Sequence, residues 1–232
     1  MAVYCMSDIH GKLDIFHKML EKIHFSENDT LYVIGDVIDR GTDGIPLLQE
    51  IMRTPNITML LGNHELMMLD YYSPDVTEIE ISRWNRNRNL FTLLKFDALP
   101  PEEQKEILNF LKRLPDCLGV RVGEIDFWLV HGFPGSDTEE AVWGRPKGIE
   151  TPNPLPGRQV IVGHTPVPLL LCRNDEEEEA YFRRMEQSGG HVRILFAPGF
   201  IDIDCGCGHT VPGAALGCLR LDDFEEFYVS AK

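Results

Sequence analysis

Five short apolar runs in this 232-residue chain each lead into a residue that can bind a metal or move a proton. Val3–Met6 leads into Asp8-Ile9-His10, Leu31–Ile34 into Asp36, Met59–Leu61 into Asn63-His64, Phe127–Val130 into His131, and Val160–Val162 into His164. Such a pattern calls for buried strands that deliver Asp, Asn and His at their ends, where they build a rigid rim of oxygen and nitrogen donors. That mixture suits divalent first-row metals. Two such ions close together are a device for phosphoryl transfer.

The intervening segments supply helices. Ile15, Phe16, Met19, Leu20 and Ile23 recur at helical spacing, which predicts a helix over Leu13–Ile23. A second is expected at Ile45–Met52 and a third strand at Ile57–Leu61. This β-α-β-α-β order implies a largely parallel, buried sheet whose ligands gather beyond the strand C-termini. Glu65–Tyr71 continues as a helix. From Ser73 to Leu118 the chain changes character. It is mostly helical, carries an exposed-looking Trp84-Asn85-Arg86-Asn87-Arg88-Asn89, and offers Pro101-Glu102-Glu103 as a helix start. We read residues 73–118 as a helical cap inserted over the site, within a single domain of residues 1–232.

The back half is strand-rich. Leu118–Val122, Ile125–Val130, Val160–Val162, Val192–Phe196, Phe200–Asp204, Ala215–Leu221 and Phe227–Val229 are the candidates, and turn signals separate most of them. A second sheet packed on the first gives a sandwich with helices outside. The acidic run Asp175–Glu179 reads as a solvated loop or helix face.

A formal net charge of -15 disfavours nucleic-acid backbones and anionic membranes as partners. The six cysteines sit in a core-rich chain with no need of disulfides, and no secretory signal precedes the first strand. No apolar stretch approaches the roughly 18 residues of a membrane span. The expectation is a soluble, reduced, cytoplasmic protein of open oligomeric state, without nucleic-acid or membrane partners.

The residues suggest their own chemistry. Asp8 and His10 alternate with Ile9, so an extended backbone would point both the same way and let them hold one metal. Asp36 has two oxygens with which to bridge two ions, and Asn63, His131 and His164 complete the second. Two divalent ions bring roughly +4 and the two carboxylates remove about 2, so the site attracts a phosphate dianion despite the acidic surface. Water between the metals is the expected nucleophile, its pKa lowered from about 15.7 toward about 7. Arg40 and Arg145 are candidates to clamp phosphate oxygens bidentately. His64 can protonate an alkoxide leaving group, with Asp39 orienting it.

With those residues in view, the chain resembles the metal-dependent phosphoprotein phosphatase family within the calcineurin-like metallophosphoesterases. Asp8–Gly11, Gly35–Gly41, Gly62–Glu65, His131-Gly132 and Gly163–Pro166 match its pattern in order, and Trp143-Gly144-Arg145 is similar to its later phosphate-arginine segment. Ile203-Asp204-Cys205-Gly206 and Leu219–Asp222 look like the closing strands of bacterial and phage members. The resemblance implies an α+β, four-layer α/β/β/α sandwich. It implies two divalent metal ions, with manganese in bacterial members and iron, zinc, nickel or cobalt as other candidates. It also implies hydrolysis of phosphoserine or phosphothreonine. Onto matching positions it carries Asp8, His10, Asp36, Asn63, His131 and His164 as ligands, His64 with Asp39 as the acid pair, and Arg40 and Arg145 as phosphate contacts. Symmetrical dinucleoside tetraphosphatases commonly carry Ala in place of that acid and Asp after the catalytic His, so Asp39 and Glu65 favour the protein-phosphatase branch. Related small phosphatases often show Asn-Gly-Gly after a Trp; here Arg86 and Arg88 stand in that stretch, as candidate contacts for acidic or multiply phosphorylated substrates.

Three functions are therefore weighed. The lead is a serine/threonine protein phosphatase acting on a phosphorylated protein or peptide. Its rival is a hydrolase of a small phosphorylated metabolite, such as a nucleotide or diadenosine polyphosphate. A non-catalytic metal-bound interaction module is the third, and it has no need of His64, Asp39 and Arg40. His17, His24, His191 and His209 fall outside the motifs and read as ordinary surface or packing histidines. Cys205 and Cys207 read as small strand residues, with a redox role as the alternative. Asp202 and Asp204 either support a ligand or Arg145, or solvate a turn.

Overall fold

In the computed structural model, which describes residues 1–231, the apolar runs become strands of two five-stranded sheets. β1 (Val3–Met6), α1 (Leu13–Lys22), β2 (Thr30–Val33), α2 (Gly44–Arg53) and β3 (Ile57–Met59) make two successive crossovers, and their strands pair in parallel. Parallel neighbours need a connection long enough to return the chain, and a helix provides it. α1 buries Ile15, Phe16 and Met19, and α2 buries Ile45, Leu47, Leu48 and Ile51. Burying each of these large side chains favours the fold by about 1.5–3 kcal/mol.

Four helices follow β3: α3 (Asn63–Tyr71), α4 (Glu78–Arg86), α5 (Leu90–Asp97) and α6 (Pro101–Leu111). α6 starts at Pro101, with Glu102 and Glu103 in its first turn, where a missing N–H costs nothing and negative charge meets the helix dipole. The chain then runs through β4 (Cys117–Val122), β5 (Ile125–Val130), α7 (Thr138–Trp143), β6 (Gln159–Val162), α8 (Val167–Leu171), α9 (Asp175–Ser188), β7 (Leu195–Phe196), β8 (Ile201–Asp202), β9 (Ala215–Arg220) and β10 (Glu226–Ser230). The second sheet has the order β4-β5-β6-β8-β7. β9 and β10 return to the first, giving β10-β9-β1-β2-β3.

Alternation along the strands divides the apolar residues among layers. Cys5, Ile34 and Leu219 of the first sheet and its flank meet Phe127, Leu129 and Ile161 of the second. Tyr4, Met6, Leu31 and Val33 face the opposite way, onto α1 and α2. Val130, Val160 and Val162 pack with Ala141 of α7 and Leu170 of α8. This is the expected α+β sandwich with helices outside; the first sheet, expected to be largely parallel, is mixed, because β9 and β10 join it antiparallel.

Three expected strands fall at least two residues short of their apolar runs, the first being Ile57–Leu61, which ends at Met59. Val192–Phe196 pairs only at Leu195–Phe196, because the Val192 N–H goes to the Gly213 carbonyl in a loop. Phe200–Asp204 shrinks to Ile201–Asp202, after which the Asp202 and Asp204 carboxylates accept backbone N–H groups in tight turns. The acidic run at 175–179 opens α9, capped by Asn174, whose Oδ1 accepts the Glu177 N–H at 2.9 Å. No residue of α9 is buried. Among the described residues, no helix is long and apolar enough to cross a membrane.

Candidate metal centre

β1, β2, β3, β5 and β6 end toward one rim, and after β1, β2 and β6 the chain turns into left-handed geometry. Asp8, His10, Asp36, Asp39, Arg40 and His164 all have φ between 50° and 68°. L-residues adopt that region only where the surroundings impose it, and such strain gathers at functional sites. Asp8 and His10 thus converge through left-handed turns and not by strand alternation. The turns are stitched together by His10 N–H to the Asp36 carbonyl at 3.0 Å and Gly11 N–H to the Val37 carbonyl at 2.7 Å.

Glu65, from the first turn of α3, ties this rim from beneath. Its Oε2 accepts the N–H groups of Asp36 (2.9 Å) and Gly62 (3.1 Å), and its Oε1 accepts those of Val37 (2.9 Å) and Ile38 (3.2 Å). Burial and the charge of Asp36 push its carboxyl up to about 7, and the backbone donors hold the anion against that rise. Gly35 and Gly62 must lie close together: a Cβ on Gly35 would fall 2.6 Å from the Gly62 Cα, and Gly35 has φ 89°.

Asp36 is the hub. Its Oδ2 lies 3.5 Å from His10 Nε2 and 3.7 Å from His64 Nε2, and its Oδ1 lies 3.2 Å from His131 Nε2. Two groups of donor atoms meet there, His10–Asp36–His64 and Asp36–His131–His164, each with its atoms within 4.8 Å of one another. Asp8 Oδ1 stands 3.7 Å from His10 Nε2, and Asn63 Oδ1 3.0 Å from His131 Nε2. All six sequence-predicted ligands are buried. Burial opposes the charge on Asp36, but His131, His64 and His10 overcome it and hold its carboxyl well below the ordinary range. For His131 burial is likewise outweighed, by Asp36 first, and its imidazole rises to about 10. His164, buried and facing His131 and Arg145, is pushed down to about 2.

The residues fit divalent cations. His10 Nδ1 is 3.0 Å from the Ile38 carbonyl and His131 Nδ1 2.8 Å from that of Ile34, bonds that leave Nε2 of each as the inward donor. The Nε2 atoms of His10 and His164 are buried without a hydrogen-bond partner, which is costly unless a ligand satisfies them. The donors are imidazole nitrogens and carboxylate or amide oxygens, and no thiolate joins them.

Beside the hub lie His64 and Asp39, the pair read from the sequence as an acid and its orienting carboxylate. His64 Nδ1 and Asp39 Oδ2 are 2.6 Å apart, both fully buried. Burial lowers the His64 pKa, and Asp36 and Asp39 more than reverse this, so its imidazole is raised overall. Asp39 Oδ2 also accepts the Trp84 indole N–H at 2.7 Å, and the Asp39 N–H donates to Thr92 Oγ1 at 3.0 Å. Trp84, which reads as exposed in the sequence, is thus wholly buried, because its N–H finds a partner 45 positions away. Arg86 and Arg88 are exposed, and the Arg88 carbonyl accepts the Arg40 N–H at 3.1 Å.

Arg40 Nη2 lies 3.3 Å from His64 Nε2, and its Nη1 lies 3.0 Å from Nε2 of His209, so His209 is no ordinary surface histidine. Arg145 stands by His164 and donates to Thr165 Oγ1 at 2.9 Å. Asp202 and Asp204 make backbone turns and do not hydrogen-bond a ligand histidine or Arg145. Burial raises the thiols of Cys205 and Cys207, the latter to about 12, so neither offers a thiolate near neutral pH. The missed residues are Trp84, Thr92 and His209. Only Trp84 carried a signal, a large aromatic amid charged neighbours.

A sequence profile of the calcineurin-like phosphoesterases matches residues 1–212. A symmetrical bis(5'-nucleosyl)-tetraphosphatase of Acidovorax sp. (strain JS42) is 35% identical over 133 residues, which are 56% of this chain and 43% of that relative. The chain thus spans under half the length of this curated relative. Among solved structures, a metallophosphoesterase from Sphaerobacter thermophilus superposes with a TM-score of 0.59 at 19% identity, covering 100% of this chain and 90% of its own. A protein serine/threonine phosphatase from Saccharomyces cerevisiae gives 0.57 at 14% identity, covering 96% and 73%. At such identities the two superpositions speak for the fold alone.

Proposed function

This chain belongs to the calcineurin-like phosphoesterase family, and from that premise we propose that it hydrolyses a small phosphorylated metabolite of the dinucleoside polyphosphate class. Asp8, His10, Asp36, Asn63, His131 and His164 would hold two divalent cations, with manganese the first candidate. Ions held there supply Lewis acidity and make water acidic enough to react near neutral pH. Arg40 and Arg145 flank the hub and bind the non-reacting phosphate oxygens. Arg40 Nη2 donates toward His64 Nε2 at 3.3 Å; once phosphate oxygens take up the Arg40 donors, Nε2 would carry a proton to the departing oxygen, while Asp39 keeps Nδ1–H in place. The helices between residues 73 and 118 act as a cap on the acid-pair side of one domain.

The convergence of buried His10 and His131 on Asp36, with the unpartnered Nε2 atoms of His10 and His164, carries the hydrolase reading. The substrate class draws support from the curated relatives that are named as tetraphosphatases. A second reading, hydrolysis of phosphoserine or phosphothreonine in proteins, is favoured by one observation. The His64–Asp39 pair is built to protonate a poor leaving group such as an alkoxide, which a polyphosphate leaving group does not require. Metal-loaded protein assayed on diadenosine tetraphosphate, nucleotides and phosphoserine, phosphothreonine and phosphotyrosine peptides decides between them. The first reading expects kcat/KM for the dinucleotide to exceed that for any peptide at least tenfold. The reverse order would replace it with the second.

A further inference from the structure

We propose that His209 is a positioning residue that orients the Arg40 guanidinium for phosphate binding. The proposal rests on the reading of Arg40 as a phosphate contact.

An arginine side chain only donates hydrogen bonds. At 3.0 Å from Arg40 Nη1, His209 Nε2 must therefore be the acceptor, which places the His209 proton on Nδ1. The contact spans 169 positions of chain and is set by backbone. The Asp204 carboxylate takes the Gly206 N–H at 2.8 Å, and the His209 N–H returns to the Gly206 carbonyl at 2.9 Å. Gly206 has φ 79°, and Ala215 N–H pins the turn to the Cys205 carbonyl at 3.1 Å. At Gly208 a Cβ would run into the His10 ring and approach Arg40 Nη1 to 2.8 Å. The loop thus lies directly against the guanidinium.

From the other side Arg40 is held by its backbone, in a left-handed conformation at φ 60° with its N–H on the Arg88 carbonyl. Its side chain meets His64 Nε2 through Nη2 at 3.3 Å, and an acceptor for Nη1 fixes the plane of the guanidinium, because a free arginine carries about 2 kcal/mol of rotamer entropy. No carboxylate forms an ion pair with it among the described residues, so its charge stays available to an anion. A neutral acceptor fixes direction without neutralising charge. His209 suits that role chemically. Burial, then the positive charges of Arg40, Arg88 and Lys12 and the nearby His64, push it down to about 4, so it stays neutral where the protein works.

His209→Ala and His209→Gln, each metal-loaded, test this against inorganic phosphate and p-nitrophenyl phosphate, with Arg40→Ala as reference. Gln keeps an acceptor oxygen and Ala does not. The expected result for His209→Ala is a roughly tenfold rise in KM for p-nitrophenyl phosphate, with kcat changed less than threefold. Calorimetric affinity for phosphate should fall in parallel, while metal content and Tm stay as in the wild type. His209→Gln should recover most of both losses. Wild-type KM and phosphate affinity in His209→Ala would overturn the proposal, as would His209→Gln as impaired as the alanine variant. A parallel fall in metal content or Tm would overturn it too, by making the role structural. If Arg40→Ala itself leaves KM and phosphate affinity unchanged, the reading of Arg40 falls and His209 with it. If Arg40→Ala weakens phosphate and His209→Ala does not, only the positioning role falls.

Discussion

Two charged helical segments lie outside the sheets of this protein, and they relate to its site in opposite ways. α4 and α5 reach the His64–Asp39 pair: Trp84 and Thr92 are buried against Asp39, and the Arg88 carbonyl between the helices holds the Arg40 backbone. α9 has no fully buried residue: Tyr181 packs on the margin of the core, and the helix is stabilised further by its own cap and first-turn acids. Helicity and charge are common to both. What separates them is whether a polar tip on an apolar body finds a partner in the interior. A helix becomes part of a site through such groups, and without them it packs on the periphery.

This contrast can be broken at several points. His64→Asn sets the largest effect that α4 and α5 can exert through Asp39. It should retain metal and lose about 10²–10⁴-fold in turnover on alkyl phosphates, with a smaller loss on nitrophenyl phosphate. Equal losses on both substrates would remove His64 from the acid role. Trp84→Ala should cost about 3–5 kcal/mol of stability in a urea titration, as expected for emptying a buried aromatic site. Trp84→Phe keeps a ring but removes the N–H to Asp39. It should therefore lower turnover on alkyl phosphates by more than it lowers Tm. A variant with full turnover on both substrates would detach α4 from the chemistry.

Smaller effects sharpen the comparison. Lys95 of α5 pairs with Asp43 at 2.6 Å and, with Thr42, lowers the Asp43 carboxyl below its ordinary 3.8. A depressed carboxyl stabilises the fold above its unfolded pKa, and that share is lost as pH falls through the folded one. Both side chains are more than a third exposed, so after solvent screening Lys95→Ala should cost no more than about 0.5 kcal/mol at pH 7. The difference from wild type should fade below about pH 3.8. A difference that grows on acidification would contradict the pairing. Smallest of all, Glu179→Gln with Glu186→Gln on α9 should change stability by under about 0.5 kcal/mol and leave kcat unaltered. A tenfold change in kcat would bring α9 into the site.

The same contrast explains what could be read from the sequence. Each ligand stands at the end of its own apolar run, so Asp8, Asp36, Asn63, His131 and His164 were visible one strand at a time, and the sandwich followed from the order of runs. The helices of α1 and α2 announced themselves by period. Trp84 did not, because its burial depends on Asp39, and His209 did not, because its meaning depends on Arg40; both are partners distant in sequence. Asp8 and His10 converged as expected but through left-handed turns, a conformation that hydrophobic alternation cannot encode. Asp202 and Asp204 looked able to brace a ligand, yet Oδ1 of each went to the backbone N–H two residues on.

The centre of the account is a carboxylate, Asp36, common to two groups of side chains that could each hold a cation. Elemental analysis of purified protein saturated with manganese, run alongside Asp36→Asn, tests it directly. Two ions per chain in the wild type and loss of both sites, or of all but weak binding, in the variant is the expected result. A wild type that saturates at one ion, or an Asp36→Asn protein that still binds two tightly, would contradict it.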